Sequence, residues 1–387
     1  MGHNLTLPSG EVKRTVMAPE RVFVQYREGI LGGLEIVRGT LHPGLDADAE
    51  PARGELDAWP GTRFVQRVGD GTEVMLVRRV APRPRERWWL HALLFALTFA
   101  SVTVCGAFVA GWSPAGRTLV LFGAALDLPA RASTGDLLPG LWLSVPLCAI
   151  LLAHELGHYV TARRHGLDVS PPYFIPVPWL VSLVGTFGAF IRLRTPLLNR
   201  VMLMDVGAGG PLAGMLLSVP VTVAGLMLSR PMHLLPPDPG LRYVVFYSGH
   251  PYFAVGGGLL FNALAAVLVA PHGAVHLHPL ALAGWFGLFV TMLNLLPAGQ
   301  LDGGHVLYAL LGRRQVAVGT VAVAALLLLG RGWTGWWLWA GAILVLGRGR
   351  VSHPPVLDDA FRVRGWRAAA GWACVAAAVL TFIPRPF

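Results

Sequence analysis

The chain has 387 residues, of which 54% are hydrophobic and 13% charged, with a formal net charge of +10 and a mean hydropathy of +0.56. This composition excludes an ordinary soluble globular protein and indicates a polytopic membrane protein. The surplus of arginine does not mark a nucleic-acid binder. The arginines gather at the ends of apolar runs rather than along one face, as suits loops beside an anionic leaflet of a lipid bilayer. Cys105, Cys148 and Cys374 fall inside apolar stretches without metal-type spacing and read as small buried hydrophobes. No apolar run follows the charges of the first fifteen residues, so no cleavable signal peptide is expected there.

Residues 1–87 carry most of the acidic residues and alternate in the manner of short strands with turns, as in RVFVQYREGILGG and TEVMLVRRV. A small soluble β-rich N-terminal region is expected. The basic, proline-broken RRVAPRPRER then leads into a first transmembrane helix, from Trp88 to about Trp112. A loop follows, and an apolar run over 137–153 continues without a break into AHELGHYVTARRHG, predicting one long helix. Residues 167–200 are too proline-rich for a straight span and too apolar for an ordinary loop, which predicts a membrane-dipping hairpin. A third helix is predicted over 201–229. Its GAGGPLAG run offers small residues for close helix contact. Residues 230–278, including the moderately apolar 254–270, read as an interfacial hairpin. The next helix starts near Pro279, passes Asn294 and breaks at LLPAGQLDGGH; further apolar runs cover about 316–329, 333–346 and 366–383. The expectation is an all-α polytopic membrane protein with about six transmembrane helices and one membrane-dipping hairpin in residues 88–387, preceded by the β-rich region.

Arginines cluster before the first helix (Arg78, Arg79, Arg83, Arg85, Arg87) and after the second (Arg163, Arg164, Arg192, Arg194, Arg200). Both clusters are expected on the cytoplasmic side, with the N-terminal region. With 254–270 not spanning, HELGH and LDGGH fall at one membrane depth.

His154 and His158, four residues apart on a helix, share one face and can bind one metal, and Glu155 beside them can reach a metal-bound water. A catalytic zinc needs a third protein ligand and a free position. Asp302 suits that role: it follows a long apolar helix, and a lone intramembrane aspartate is costly without a partner. The chemistry expected is amide hydrolysis, with Glu155 moving the proton. H-E-x-x-H also arises by chance. In a segment suited to lipid, two histidines, a glutamate and a distant aspartate would each need separate compensation, which makes packing the weaker explanation.

Together and in this order, HELGH, GTFGAFI, NRVMLMDVGAGGPLAG and HPLALAGWFGLFVTMLNLLPAGQLDGGH resemble the site-2 protease family of intramembrane zinc metalloproteases. The resemblance covers roughly residues 88–387 and is nearest to the bacterial and chloroplast branch that lacks a PDZ domain. It implies one zinc per chain on His154, His158 and Asp302, Glu155 as general acid/base, and single-pass transmembrane proteins as substrates cut within the membrane. A bacterial cytoplasmic membrane is the expected location. Asn294 matches the family's N-x-x-P-x-x-x-L-D-G asparagine and reads equally as an oxyanion or substrate-carbonyl contact and as a cap of the broken helix. Pro297 and Gly299 break that helix so that Asp302 can turn to the metal. Gly185, Thr186, Phe187 and Gly188 are candidates for pairing an unwound substrate as a strand edge, with glycine packing as the alternative. Gly210 to Gly214 read as packing. His305 is either a partner of Asp302 or a helix-start residue, and His250, His272, His276 and His278 are not assigned to zinc. The competing readings are a proteolytically inactive scaffold or regulator of the same fold, which would not need Glu155, and a metal transporter, which would spread its ligands along a path.

Overall fold

The computed structural model describes residues 19–387 apart from 83, 113–115, 122–123, 130–132, 179–181, 233–240, 248–249, 270–273, 355, 357 and 360. The readings made for residues 1–18 and for His272 lie outside these residues.

Four antiparallel strands form the N-terminal sheet: β1 (Phe23–Leu31), β2 (Leu34–Leu41), β3 (Thr62–Val68) and β4 (Gly71–Arg79), in the order β1-β2-β4-β3, with helix α1 (Ala52–Asp57) between β2 and β3. The run VMLV in β4 is apolar at successive positions because both faces of the sheet are covered. Val74 and Leu76 join Phe23, Val37, Leu56 and Trp59 in a core under α1. Met75 and Val77 point the other way, with Leu34, Ile36 and Phe64, onto Ala162, Leu167, Leu198, Met202 and Val206 of the membrane-embedded part. The N-terminal region is thus docked rather than a free appendage. At the rim, Asp168 meets Arg79 (3.5 Å) and Arg194 (3.6 Å), and Arg38 meets Asp358 at 2.9 Å. Arg194 also grips Glu86 in the linker, and that hydrogen bond holds the Glu86 carboxyl below its ordinary range.

The linker enters α2 (Trp88–Val109). A hairpin of β5 (Gly116–Leu121) and β6 (Ala124–Pro129) and the short α3 (Thr134–Leu137) lead to α4 (Leu141–Arg164), which carries HELGH. The predicted membrane-dipping hairpin appears as two paired strands, β7 (Tyr173–Pro176) and β8 (Thr186–Phe190). Helix α5 (Arg200–Leu228) follows, its first turn capped by the Asn199 side chain on the Met202 amide. Beyond α5 lies a second sheet, of β9 (Arg230–Met232), β10 (Tyr243–Tyr247), β11 (His250–Val255) and β12 (Ala274–His276). The ten-residue helix α6 (Leu259–Leu268) sits between β11 and β12. Because those two strands belong to one sheet, the chain returns to the side it left and α6 does not cross. The chain ends in α7 (Pro279–Asn294), α8 (Asp302–Leu311), α9 (Gln315–Leu329), α10 (Gly335–Leu346) and α11 (Trp366–Thr381).

Among the described residues, four helical stretches are long and apolar enough to cross a membrane, namely Trp88–Val109, Thr134–Arg164, Arg200–Leu228 and Asp302–Leu329, so the chain is an integral membrane protein. The remaining apolar runs fold as helices of 10–17 residues, shorter than the ~20 residues a full crossing takes. The expectation of about six spans therefore meets four long helices.

Met75 is 1% exposed at the docking interface. Met75→Ala should lower stability by about 2–5 kcal/mol and hasten protease nicking of the linker at 80–87, whereas Val65→Ala, at a position 41% exposed, should change both little. Thermal unfolding with limited proteolysis checks this.

Candidate metal centre

The site begins with one turn of α4. His154, Glu155 and His158 are 3%, 7% and 7% exposed, on a helix that lies directly against α5. That approach depends on glycine: a Cβ on Gly157 would stand 2.2 Å from the Gly209 carbonyl oxygen, and one on Gly210 would stand 2.0 Å from His158 Nε2. The Val206 carbonyl of α5 accepts a 2.7 Å hydrogen bond from His158 Nδ1. This fixes the tautomer and leaves Nε2 with a free lone pair.

Asp302 comes from a different helix. α7 stops at Asn294, the chain turns through Gly299 at φ +57°, and α8 starts at Asp302, whose carboxylate lies in its first turn. Gly303 and Gly304 let α8 tuck under the end of α7, since a Cβ would stand 2.0 Å from the Leu295 carbonyl oxygen and 2.4 Å from that of Gly299, respectively. The turn is held from outside: the Gly299 N–H donates to the Val351 carbonyl at 2.9 Å. Gln315, fully buried, donates to the carbonyls of Pro297 and Val351 and accepts from the His353 amide.

These supports bring three ligand atoms together. His154 Nε2 and His158 Nε2 are 3.1 Å apart, and Asp302 Oδ2 is 3.3 and 3.2 Å from them. Donors roughly 2.0–2.1 Å from a tetrahedral zinc stand about 3.3 Å from one another, so the set fits that ion in both spacing and chemistry. The three residues form the one metal-capable group of three or more His, Cys, Asp or Glu found among the described residues.

Residues 142–330 match the model of peptidase family M50. The match covers just under half of the chain. HELGH and the Asp302 turn both lie inside the matched segment. Among curated relatives, the probable zinc metalloprotease EGY1, chloroplastic, of Arabidopsis thaliana is 34% identical over 249 residues, covering 62% of this chain and 42% of the relative. The probable zinc metalloprotease EGY2, chloroplastic, of Oryza sativa subsp. indica is 30% identical over 255 residues, covering 64% and 43%. The probable zinc metallopeptidase EGY3, chloroplastic, of Arabidopsis thaliana is 31% identical over 262 residues, covering 61% and 41%. The matched part of the chain thus spans about two fifths of these relatives' length. No solved structure gives a significant match.

Within the M50 segment, the other candidates are placed as follows. Asn294 turns its side chain to the site, with Nδ2 3.1 Å from His154 Nε2. The β8 hairpin stands beside the site, and the Ile191 amide just after it meets the Glu155 carboxylate. Phe187 is 71% exposed there. Some backbone groups of this stretch are already committed: Gly185 donates to Ser182 Oγ and accepts from the Val177 amide, and the Gly188 N–H donates to Thr186 Oγ1. His305 lies beside His353, ring centroids 4.8 Å apart, rather than on the Asp302 carboxylate. His276 and His278 belong to the far sheet and the cap of α7, away from the centre.

Residues that sequence reasoning passed over include Gly210, assigned to packing alone, and Gln315. The first had a visible signal in the glycine run. The second is a lone amide at the start of an apolar helix, which shows its use only once the Pro297 and Val351 carbonyls are seen beside it. Gly210→Ala should displace the His158 ring and lower metal affinity by roughly 10–100-fold, while Gly341→Ala, which opens onto free space, should leave it unchanged. Competition titration against a chelator reads both.

Proposed function

We propose that this chain is an intramembrane zinc endopeptidase that hydrolyses a peptide bond within or near a transmembrane segment of single-pass membrane proteins. The observation that carries the reading is the meeting of His154, His158 and Asp302 ligand atoms at 3.1–3.3 Å, with Glu155 on the same helical turn. The match to the model of peptidase family M50 and the relatives named as zinc metalloproteases support it.

His154, His158 and Asp302 would hold the zinc. Such an ion supplies Lewis-acid polarisation of the scissile carbonyl and brings the pKa of water down to about 7. Glu155 accepts the proton as the water oxygen adds to the carbonyl carbon, then delivers it to the leaving amide nitrogen as the C–N bond breaks. The Asn294 amide, beside His154, donates to the carbonyl oxygen as negative charge develops on it. The substrate reaches these groups unwound, paired along the outer edge of Gly185, Thr186, Phe187 and Gly188; with the Gly185 groups engaged inside the hairpin, the pairing centres on Phe187. A scaffold without activity would keep the fold but has no use for a buried carboxylate at position 155.

We read residues 1–87 as a region that recognises substrate, gates access or aids assembly, and 88–387 as the protease domain. We count about six crossings, made up of the four long helices and some of the shorter apolar ones. The arginine-rich face, with the N-terminal sheet, is the cytoplasmic one, and the arginine bias suits a bacterial inner membrane.

Purified wild-type protein and Glu155→Ala should both hold near one zinc per chain. Cleavage of a panel of single-pass helices in detergent should fall by more than about 100-fold in the variant. Equal cleavage by both would overturn the role of Glu155, and zinc-loaded wild type that cuts no member of the panel would favour the scaffold.

A further inference from the structure

A second polar site lies on the arginine-rich face, where the N-terminal sheet, the end of α4 and the start of α11 enclose a cleft of about 490 Å³. Its wall includes Arg63, Arg67, Arg362, Arg364 and Arg367, against two acids, Asp46 and Asp48. Three of the arginines are engaged: Arg63 with Asp57, Arg67 loosely with Asp46 at 3.7 Å, and Arg367 with Asp205 at 2.8 Å. The guanidinium groups of Arg362 and Arg364 have no carboxylate partner among the described residues.

These two arginines lie immediately before the first turn of α11. That turn has no acidic residue and no side-chain cap, and Arg367 falls within it. Cations at a helix N-terminus oppose its positive end, and the first backbone N–H groups there lack acceptors. An anion in the cleft relieves both faults. The deep wall offers a further unanswered group. His165 is 7% exposed and stacked on Phe64; its Nε2 faces Asp205 at 2.9 Å, while its Nδ1 is buried without a partner.

The position of the cleft identifies the kind of anion. Trp366, 67% exposed, stands at its lip with the Arg367 guanidinium 4.6 Å over its ring, and α11 runs from there into the apolar bundle. An exposed tryptophan paired with arginine at the end of an apolar helix marks the headgroup level of a bilayer. We propose that this cleft binds the phosphate of an anionic phospholipid headgroup, held by Arg362, Arg364 and the α11 N-terminus. The site is separate from the metal centre and stands whether or not the chain is a protease.

Native mass spectrometry of the full chain in detergent tests this with phosphatidylglycerol, phosphatidylcholine and inorganic phosphate as probes. Wild type should retain one phosphatidylglycerol at a concentration roughly tenfold below that needed for phosphatidylcholine. R362A/R364A should lose that preference, while R362K/R364K and the control R348A/R350A, arginines exposed elsewhere in the chain, should keep it. Unchanged thermal unfolding in detergent would show that the variants are folded. Retention of phosphatidylglycerol by R362A/R364A equal to wild type would overturn the proposal. So would displacement of the lipid by inorganic phosphate at equal concentration, which would assign the site to a free anion.

Discussion

One carboxylate has to meet two imidazoles from another helix inside an apolar bundle, and much of the local architecture serves that meeting. An aspartate carried into an apolar bundle without compensation costs several kcal/mol, so the half-buried Asp302 cannot sit at this depth unless the α7–α8 turn delivers it to His154 and His158. The turn needs Gly299 in a left-handed conformation and two glycines at the start of α8. The receiving helix needs glycines opposite it on α5, because the His158 ring fills the volume that a side chain at Gly210 would take. Close helix packing and ligand placement are here the same constraint, which is why one glycine run serves both.

The supports of Asp302 extend beyond the bundle. Val351 and His353 lie against the turn, joined to it through Gly299 and Gln315, while Asp359 meets Arg200 of α5 and Asp358 meets Arg38 of the N-terminal sheet. Phe361 completes the apolar contact with Phe64. The sheet that covers the end of α4 is therefore tied to the segment that holds the third ligand, a physical route by which events on that face can bear on the metal centre. The arginine-lined cleft opens along the same seam.

Much of the centre was legible in the sequence because its strongest signals are local or energetic. The spacing of His154 and His158 is a property of any helix, and Asp302 stood out through the cost of a lone carboxylate after an apolar run. Less legible was whatever depends on a partner brought from elsewhere in the chain. VMLV in β4 reads as a buried strand, yet nothing in it says that Met75 and Val77 face α4 and α5. In sequence Asn294 reads equally as a cap and as a site contact, and the nearness of its amide to His154 is visible only in the fold. The apolar run that became α6 resembles a short span, and only the pairing of its flanking strands into one sheet shows that it turns back. The count of spans depended on helix length, which prolines and glycines shorten in ways that hydropathy does not register.

X-ray absorption at the zinc K-edge, on zinc-loaded wild type beside Asp302→Ala, tests the three-ligand centre most directly. Wild type should show a four-coordinate shell of nitrogen and oxygen at roughly 2.0–2.1 Å with scattering from two imidazoles, and Asp302→Ala should lose the metal or one light ligand. An identical shell in both proteins, with zinc fully retained, would contradict the assignment of Asp302 and the architecture inferred around it.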